Sequence, residues 1–530
     1  MNHFLFKKGI LFALLITGLL LLSYHNIHSL ENPKYKGTFR IKSFSKEFTG
    51  ELDPIDPDSY IFISEQLFDG LVRLDRNYNI VPSLAEYWKI SRDGKKYIFY
   101  LRKGVNFHHG HELSASDVKY SLERILDRKM NSPYFQFFLH KVEGGYEFYE
   151  GKAKHVSGFR VLDKHTFEID WTKPFVSALY LLSMHFCKIL PKALLQKQGK
   201  RFFYKPSGTG PFQFDYWLRT PKLKIVGVRL KRNNSYFKGK PYLNAVEFSP
   251  NFSIDHFING EIELTPVISE RLDKPSYNIV HGSSLKPVFI GMSCHIYPLN
   301  IREIRKAVSY VIHKENLVSA ASDVRYSYEI TNNFIPSRLP GFFPKDAQND
   351  YNIEKARQIF NERGLLSEKK FPVLTLFIEL PKNELKFNLF KELKKQLEVL
   401  GIKLKLRFYN STEDIRRSES PYLVLLGRLM NIPDPEDIIK PLFYSKSVFN
   451  IFGYLNPELD ILLKKAEIER SWTKKIHYFR KIEDILYFDV PAIPAYYQRN
   501  RIAVQPWVKG IEIPAMGIYY LEARKIWMDN

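Results

Sequence analysis

Cysteine is scarce in this sequence: 530 residues contain two, Cys187 and Cys294. So small a number excludes a disulfide-stapled scaffold, and without paired C-x-x-C spacing it excludes a thiolate zinc site. Stability must come from packing. Two unpaired buried thiols are the simpler expectation, and a single bridge is the alternative. Internal repeats, low-complexity tracts and disordered linkers are missing as well, so any lobes must be joined by short ordered crossings. With 45% hydrophobic and 26% charged residues the chain has a globular composition, long enough for about three domains or sub-domains at roughly 150 residues each. Its 41 Phe and 32 Tyr are plentiful, as in a large core or a cleft that accepts varied ligands.

Acidic residues are also short, 57 Asp plus Glu against 79 Lys plus Arg, which gives a net charge of +22. Nucleic-acid binding is the first class such a balance suggests. The basic residues are nevertheless spread along the whole chain, and no helix-turn-helix, zinc-finger or RNP aromatic motif gathers them. The excess is better read as a surface property that draws the protein toward anionic envelope components and steers acidic solutes. It is not a property of the amino-terminus: removing residues 1–29 takes away Lys7 and Lys8 and no acidic residue, leaving +20 of the +22.

Long apolar runs are absent beyond the amino-terminus. Residues 1–29 carry the basic pair and then a run from Ile10 to Leu22, interrupted by Thr17 and Gly18. That run is shorter than the roughly 20 residues a membrane span needs, and it has the layout of a secretory signal peptide. No A-x-A triplet follows, and Ser29 with Ile27 is a weak cleavage site, so an uncleaved anchor is the alternative. No cysteine follows at which a lipid could be attached. The next most apolar stretch, Val176 to Leu190, is broken by Ser183, His185 and Lys188. The expected location is the periplasm, free or tethered by its own amino-terminus.

Several motifs come close to known chemistry and stop short. His108-His109-Gly110-His111 gathers imidazoles around a glycine turn, where neither the i, i+4 spacing of a helix nor the i, i+2 spacing of a strand aims them at one metal. Gly291-Met292-Ser293-Cys294-His295 begins like a nucleophile elbow but ends in His where the turn needs Gly. Ser207-Gly208-Thr209-Gly210-Pro211 lacks the Gly-Lys-Ser/Thr ending of a phosphate loop and is expected to be a tight structural turn. Asp434-Pro435-Glu436-Asp437 reads as the acidic first turn of a helix in preference to a cation site. No metal, no cofactor and no catalytic constellation is expected, so the chain is not read as an enzyme.

The secondary structure reads as mixed α/β. Ser114 to Asp117 has the form of a capping box ahead of Val118, Leu122 and Ile125 on one helical face. Asn300 to Glu303 caps a second helix whose stripe is Ile301, Ile304, Val308 and Val311. Leu385, Leu389, Leu393, Leu397 and Leu400 form a third stripe, stopped by Gly401. Ile402, Leu404, Leu406 and Phe408 then alternate with basic residues, as in a half-buried strand. Tyr97 to Leu101 and Thr166 to Asp170 are further strands.

The stretch Pro82 to Ile125 carries P-x-L-A-E-x-W, a D-G-K turn, L-R-K-G-V-x-F and a capped helix with D-V-x-x-S. It closely resembles the signature region of the family 5 extracellular solute-binding proteins, the oligopeptide and dipeptide receptors of ABC importers. Other blocks resemble the family in the same order: Leu52-Asp53-Pro54, Glu65 to Leu71, Ser207 to Phe212, Asn234 to Tyr236 with Gly239 to Pro241, Ile301 to Val318, Ile432 to Glu436, Gly453 to Asp460 and Pro491 to Tyr497. The likeness runs from about residue 38 to the carboxyl end.

This resemblance implies a two-lobed α/β periplasmic-binding-protein fold of type II, in the large peptide-receptor subclass. Residues 30–287 would form the first part of lobe 1 with the family's extra sub-domain, 288–495 lobe 2, and 496–530 the return to lobe 1. The lobes would close by a hinge on a peptide-like solute and deliver it to an ABC permease in the inner membrane, the receptor acting as a monomer. A sensory or membrane-tethered scaffold built on the same fold is the competing reading. By the same resemblance the cleft would be lined by Asp58, Tyr60, Tyr134, Ser293, Arg428, Met430, Asn431 and Tyr497.

The departures from the family pattern bear on the ligand. Peptide-binding relatives read Gly-Trp-x-x-Asp before the D-P turn, and that Asp pairs with the ligand's α-ammonium; here the residues are Gly427-Arg428-Leu429-Met430-Asn431. A buried ammonium without a counter-charge costs on the order of several kcal/mol, so Asn431 should not hold a free amino terminus in the same way. Ser293 stands where relatives usually have Asn. If Arg428 faces the cleft it favours an anionic group; a register slip of one or two residues would turn it to solvent. The expected solute is therefore peptide-like and either anionic or without a free amino terminus.

Overall fold

The capped helix comes out as its sequence dictates. Ala115–Leu126 is helical, the Ser114 backbone N–H donates to the Asp117 carboxylate at 2.9 Å, and Val118, Leu122 and Ile125 are buried. That face packs on an antiparallel four-stranded sheet ordered Ala85–Ile90, Lys96–Leu101, Thr166–Asp170 and Phe159–Asp163, which includes both strands expected here. The leucine stripe lies on the helix Glu384–Glu398, with Leu389, Leu393 and Leu397 buried, and the strand after it is Leu404–Tyr409. The helix expected after Asn300 starts one residue later: Ile301 holds the cap position, Arg302–Tyr310 is helical, and Ile304 and Val308 are buried.

The computed structural model describes residues 33–529 apart from 44–47, 49, 57–59, 283–284, 340–341, 346–350, 366–370 and 515. The expected signal or anchor, 1–29, and Asp58 lie outside the described residues. No helix among the described residues is long and apolar enough to cross a membrane.

Most of the remaining strands join one mixed sheet, organised by the 13-residue strand Ala492–Val504. Its first part pairs with Pro287–Met292, which continues through Tyr422–Gly427 and Leu374–Glu379 to Leu404–Tyr409. Its last part pairs with Leu264–Pro266 on one side and Asn278–His281 on the other. From Leu264–Pro266 the order runs to Thr38–Lys42, Ala245–Ser249, Ile225–Arg232 and Phe212–Arg219. The cores follow this division. One holds Phe39, Phe68, Phe212 and Leu264 with Ile502, Ile526 and Met528, and another holds Ile290, Ile304, Leu376, Leu393 and Leu423. The molecule is two-lobed, with the sub-domain sheet attached to the first lobe.

Two sequence motifs set about 100 residues apart form one clip. Gly208 donates its N–H to His108 Nδ1 at 3.1 Å, so the proton sits on Nε2, which donates to the Gly210 carbonyl at 3.0 Å. His109 Nδ1 meets the Ser207 hydroxyl at 2.8 Å. The glycines are needed for close approach: a Cβ on Gly208 would lie 1.9 Å from the Leu67 carbonyl oxygen. Ser207 to Pro211 is thus a structural turn, and the histidine loop is anchored to it instead of standing free in solvent. No group of three or more His, Cys, Asp or Glu among the described residues has metal-site geometry. Both cysteines are free thiols; Cys187 is buried, and burial pushes the Cys294 thiol up to about 12.

The clip depends on a neutral imidazole, and burial pulls the His108 pKa down to about 4. A histidine depressed in the folded state contributes stability that is intact above the unfolded value near 6.5 and is lost as pH falls toward 4. Glu263 and Glu483, pushed up to about 7 by burial, act in the opposite direction over about pH 4.5 to 7. Comparing the parent with His108→Gln cancels those shared contributions. Denaturant unfolding at pH 7.5 and 4.5 should show the variant losing less stability on acidification than the parent; parallel losses would refute the assignment.

Candidate functional site

The lobes meet at a buried charge cluster. Asp434 is the N-cap of the helix Pro435–Phe443 and accepts from the Glu436 N–H at 2.9 Å, so the acidic run does form a helical first turn. Its carboxylate also takes the Lys475 ammonium at 2.8 Å, while Glu436 takes the same ammonium at 2.9 Å. Lys475, on the helix Trp472–Asp489, is 1% exposed. Ser177 of the first lobe completes the cluster, with its hydroxyl 2.7 Å from the Lys475 Nζ and hydrogen-bonded to Asp434. Burial opposes the Lys475 charge, but Asp434 and Glu436 outweigh it and hold the ammonium well above the ordinary lysine range. Burial likewise opposes the Glu436 charge, and Lys475, Lys440 and Lys141 pull that carboxyl well below the usual range. Nearby, Tyr180 packs on Trp472 with ring centres 5.0 Å apart, and Lys173 reaches Glu467 at 3.5 Å.

Beside this cluster lies an interlobe cavity of about 430 Å³. The first lobe contributes Phe137, Lys141, Phe175 and Ser177, and the second contributes residues between Ile432 and Phe449. The volume falls within the range of small-ligand pockets. A larger cavity of about 510 Å³ is lined by Glu65, Asp69, Lys188, Lys238, Arg73 and Glu522 among others. Its charges neutralise one another: Lys188 pairs with Glu65 at 2.7 Å, Arg73 with Glu522 at 3.2 Å, and Asp69 accepts from Tyr236 at 2.9 Å with Lys238 at 3.5 Å. The interlobe cavity is the better candidate because residues of both lobes form its wall.

Two of the sequence-derived site residues stand at its edge. Arg428 is half-buried, its guanidinium 5.8 Å from the centre of the Phe449 ring and its Nε buried without a hydrogen bond. Asn431 is exposed, and its backbone N–H donates to Asp437 at 2.6 Å. Tyr134 is half-buried, stacked on Phe186 at 4.2 Å with its hydroxyl 3.1 Å from His185 Nε2; Phe137, stacked on the same Phe186, is the residue that reaches the cavity.

The other described residues sit elsewhere. Tyr60 packs in the first-lobe core against Phe48 at 4.5 Å. Met430 is buried among Phe289, Ile438 and Phe452, and its exposed neighbour Leu429 faces outward instead. Ser293 is fully buried, its hydroxyl accepting from the Tyr422 N–H at 3.0 Å. Tyr497 is also fully buried; its hydroxyl meets the Ile335 carbonyl at 2.9 Å and the Thr331 hydroxyl at 3.1 Å. Strand register separates Ser293 from Arg428. Met292 is opposite Leu423 and Val288 opposite Gly427, so the two lie at opposite ends of one pair, roughly 20 Å apart at strand rise.

The model for bacterial extracellular solute-binding proteins, family 5 middle part, matches residues 79–450. The chain belongs to this family. The dipeptide-binding protein of Escherichia coli (strain K12) is 24% identical over 471 residues, covering 84% of this chain and 85% of its own. Oligopeptide-binding protein AppA of Bacillus subtilis (strain 168) is 27% identical over 509 residues, covering 89% and 88%. Among solved structures, the unliganded open form of the periplasmic murein tripeptide binding protein MppA superposes with a TM-score of 0.81 at 21% identity, over 93% of this chain and 97% of that one. The two-lobed fold expected from the sequence is therefore shared, and the named relatives are binding proteins.

In this family 5 solute-binding protein, the residues that sequence reading missed are Phe137, Lys141, Phe175 and Ser177. They fall between the family blocks, and no local spacing marks them. They become a wall of the cavity because the sub-domain docks on the helix beginning at Pro435. The cluster at that junction should matter to stability. Replacing Lys475 with Met leaves two buried carboxylates without their shared cation, for which a loss of about 3–5 kcal/mol in denaturant unfolding is expected. A loss below about 1 kcal/mol would mean that the cluster behaves as a solvated surface pair.

Proposed function

We propose that the protein is the solute-binding component of an ABC-type peptide importer, working in the periplasm and capturing a peptide-like solute between its lobes for an inner-membrane permease. The carrying observation is the cavity walled by both lobes, since a ligand held there contacts two bodies that can move relative to one another. The family, and relatives named for dipeptides and oligopeptides, support the peptide class. Residues 30–287 with 496–530 form one lobe and 288–495 the other in this reading. The hinge is the pair of strands Pro287–Met292 and Ala492–Val504, the second of which changes partners along its length. The protein acts as a monomer and performs no bond chemistry.

The solute lacks a free α-ammonium at the Asn431 position or carries an anion there. A neutral amide stands where peptide-binding relatives place a carboxylate, and the adjoining Arg428 is a cation with an unused buried donor. Native mass spectrometry of the protein purified from its source should reveal a co-purifying peptide-like mass. A bound ligand at 100 times its dissociation constant adds about 2.7 kcal/mol to apparent stability, so it should raise the melting temperature. Arg428→Ala and Asn431→Ala should each weaken that rise, and unchanged affinity in both would place the ligand elsewhere. Asn431→Asp should improve binding of peptides with free amino termini; no gain would mean that other residues exclude them.

A further inference from the structure

The interlobe cavity treats its charged residues unequally. Each of its carboxylates is engaged inside the protein. Asp434 holds Lys475 and Ser177, Glu436 holds Lys475 at 2.9 Å and Lys440 at 3.2 Å, and Asp437 accepts the N–H groups of Asn431 at 2.6 Å and Ile432 at 3.3 Å. Lys440 is further paired with Glu467 at 2.9 Å. Lys141 is different. It lines the cavity from the first lobe, no carboxylate among the described residues forms an ion pair with it, and its side chain lies against the face of Phe175, 4.5 Å from the ring centre. Burial pulls its pKa down; Glu436, without pairing directly, opposes this more than either Lys475 or Lys440 adds to it, and Asp434 opposes it least. A cation over an aromatic face gains about 2 kcal/mol when desolvated, which falls short of the several kcal/mol that taking an ammonium out of water costs.

We infer that the solute supplies the counter-charge: an anionic group of the ligand sits on Lys141 inside the interlobe cavity, with an apolar side chain against Phe137, Phe175 and Phe449. This rests on the binding reading above and narrows its substrate class to peptides, or peptide-like acids, that present a carboxylate or another anion beside an apolar group. Across the cavity the second lobe offers exposed Lys446, so the same anion can be approached from both sides. Exposed Val448 and Phe449 supply apolar surface in its wall. Asn431 fits this arrangement, because a carboxylate there would bring negative charge toward the anion.

The test uses the full exported chain with two probes, N-acetyl-alanyl-phenylalanine and its carboxyl-terminal amide, measured by calorimetry. The acid should bind at least about tenfold more tightly than the amide. Lys141→Met should remove that preference by weakening the acid and leaving the amide unchanged, and Lys141→Arg should retain it. Because Lys141 has no ion-pair partner among the described residues, ligand-free Lys141→Met should melt at or above the parent temperature, which a purely structural lysine would not allow. Equal binding of the two probes, an equal loss of both in Lys141→Met, or a co-purifying solute without an anionic group would each overturn the inference while leaving the binding function standing. If neither probe binds and no solute co-purifies, the binding reading itself fails, and this inference with it.

Discussion

Both lobes depend on the backbone pairing of one strand, Ala492–Val504. Its early residues are bonded to Pro287–Met292 and to Tyr326–Ile330, and its late residues to Leu264–Pro266 and Asn278–His281. Both edges are occupied, yet by different partners at the two ends. The strand is paired without a break, Asn500 with Tyr326 and Arg501 with His281, so the change of partners falls between adjacent residues. The carboxyl-terminal residues after this strand pack into the first-lobe core through Ile518, Ile526 and Met528. Residues from both ends of the chain, Phe39 and Met528 among them, thus share one core.

Side-chain chemistry adds a second junction with a different character. The Lys475 cluster is ionic, buried and contributed by both lobes, and Ile432 of the second lobe packs in the sub-domain core. Buried ion pairs are poor sources of net stability but strict about geometry, because any partner left alone carries the whole desolvation cost. The cluster fixes how the sub-domain meets the helix beginning at Pro435, and so it sets the spacing between Phe137 and Phe449 across the cavity.

Much of the fold was legible in the sequence because its signals are local. The stripes through Val118, Ile304 and Leu393, the capping box at Ser114 and the turn at Ser207 each follow from residues a few positions apart. The one-residue shift at Ile301 shows the ordinary uncertainty of a helix start. The site was far less legible. Ser293, Met430 and Tyr497 have the residue types of a binding surface, but hydrogen bonds to distant backbone or packing draw them inward. Lys141 gives no signal at all until the sub-domain is docked. The histidine loop gives no local sign of its clip, because its partners, Ser207, Gly208 and Gly210, are about 100 residues away in sequence.

Among the described residues, the second lobe's contribution to the cavity wall comes from one run of chain, from Ile432 to Phe449. The core strands beneath it, Pro287–Met292 and Tyr422–Gly427, take no part in that wall. On this side the cavity wall is therefore modular. A short segment can diverge, or be exchanged between receptors, while the strands beneath it stay as they are.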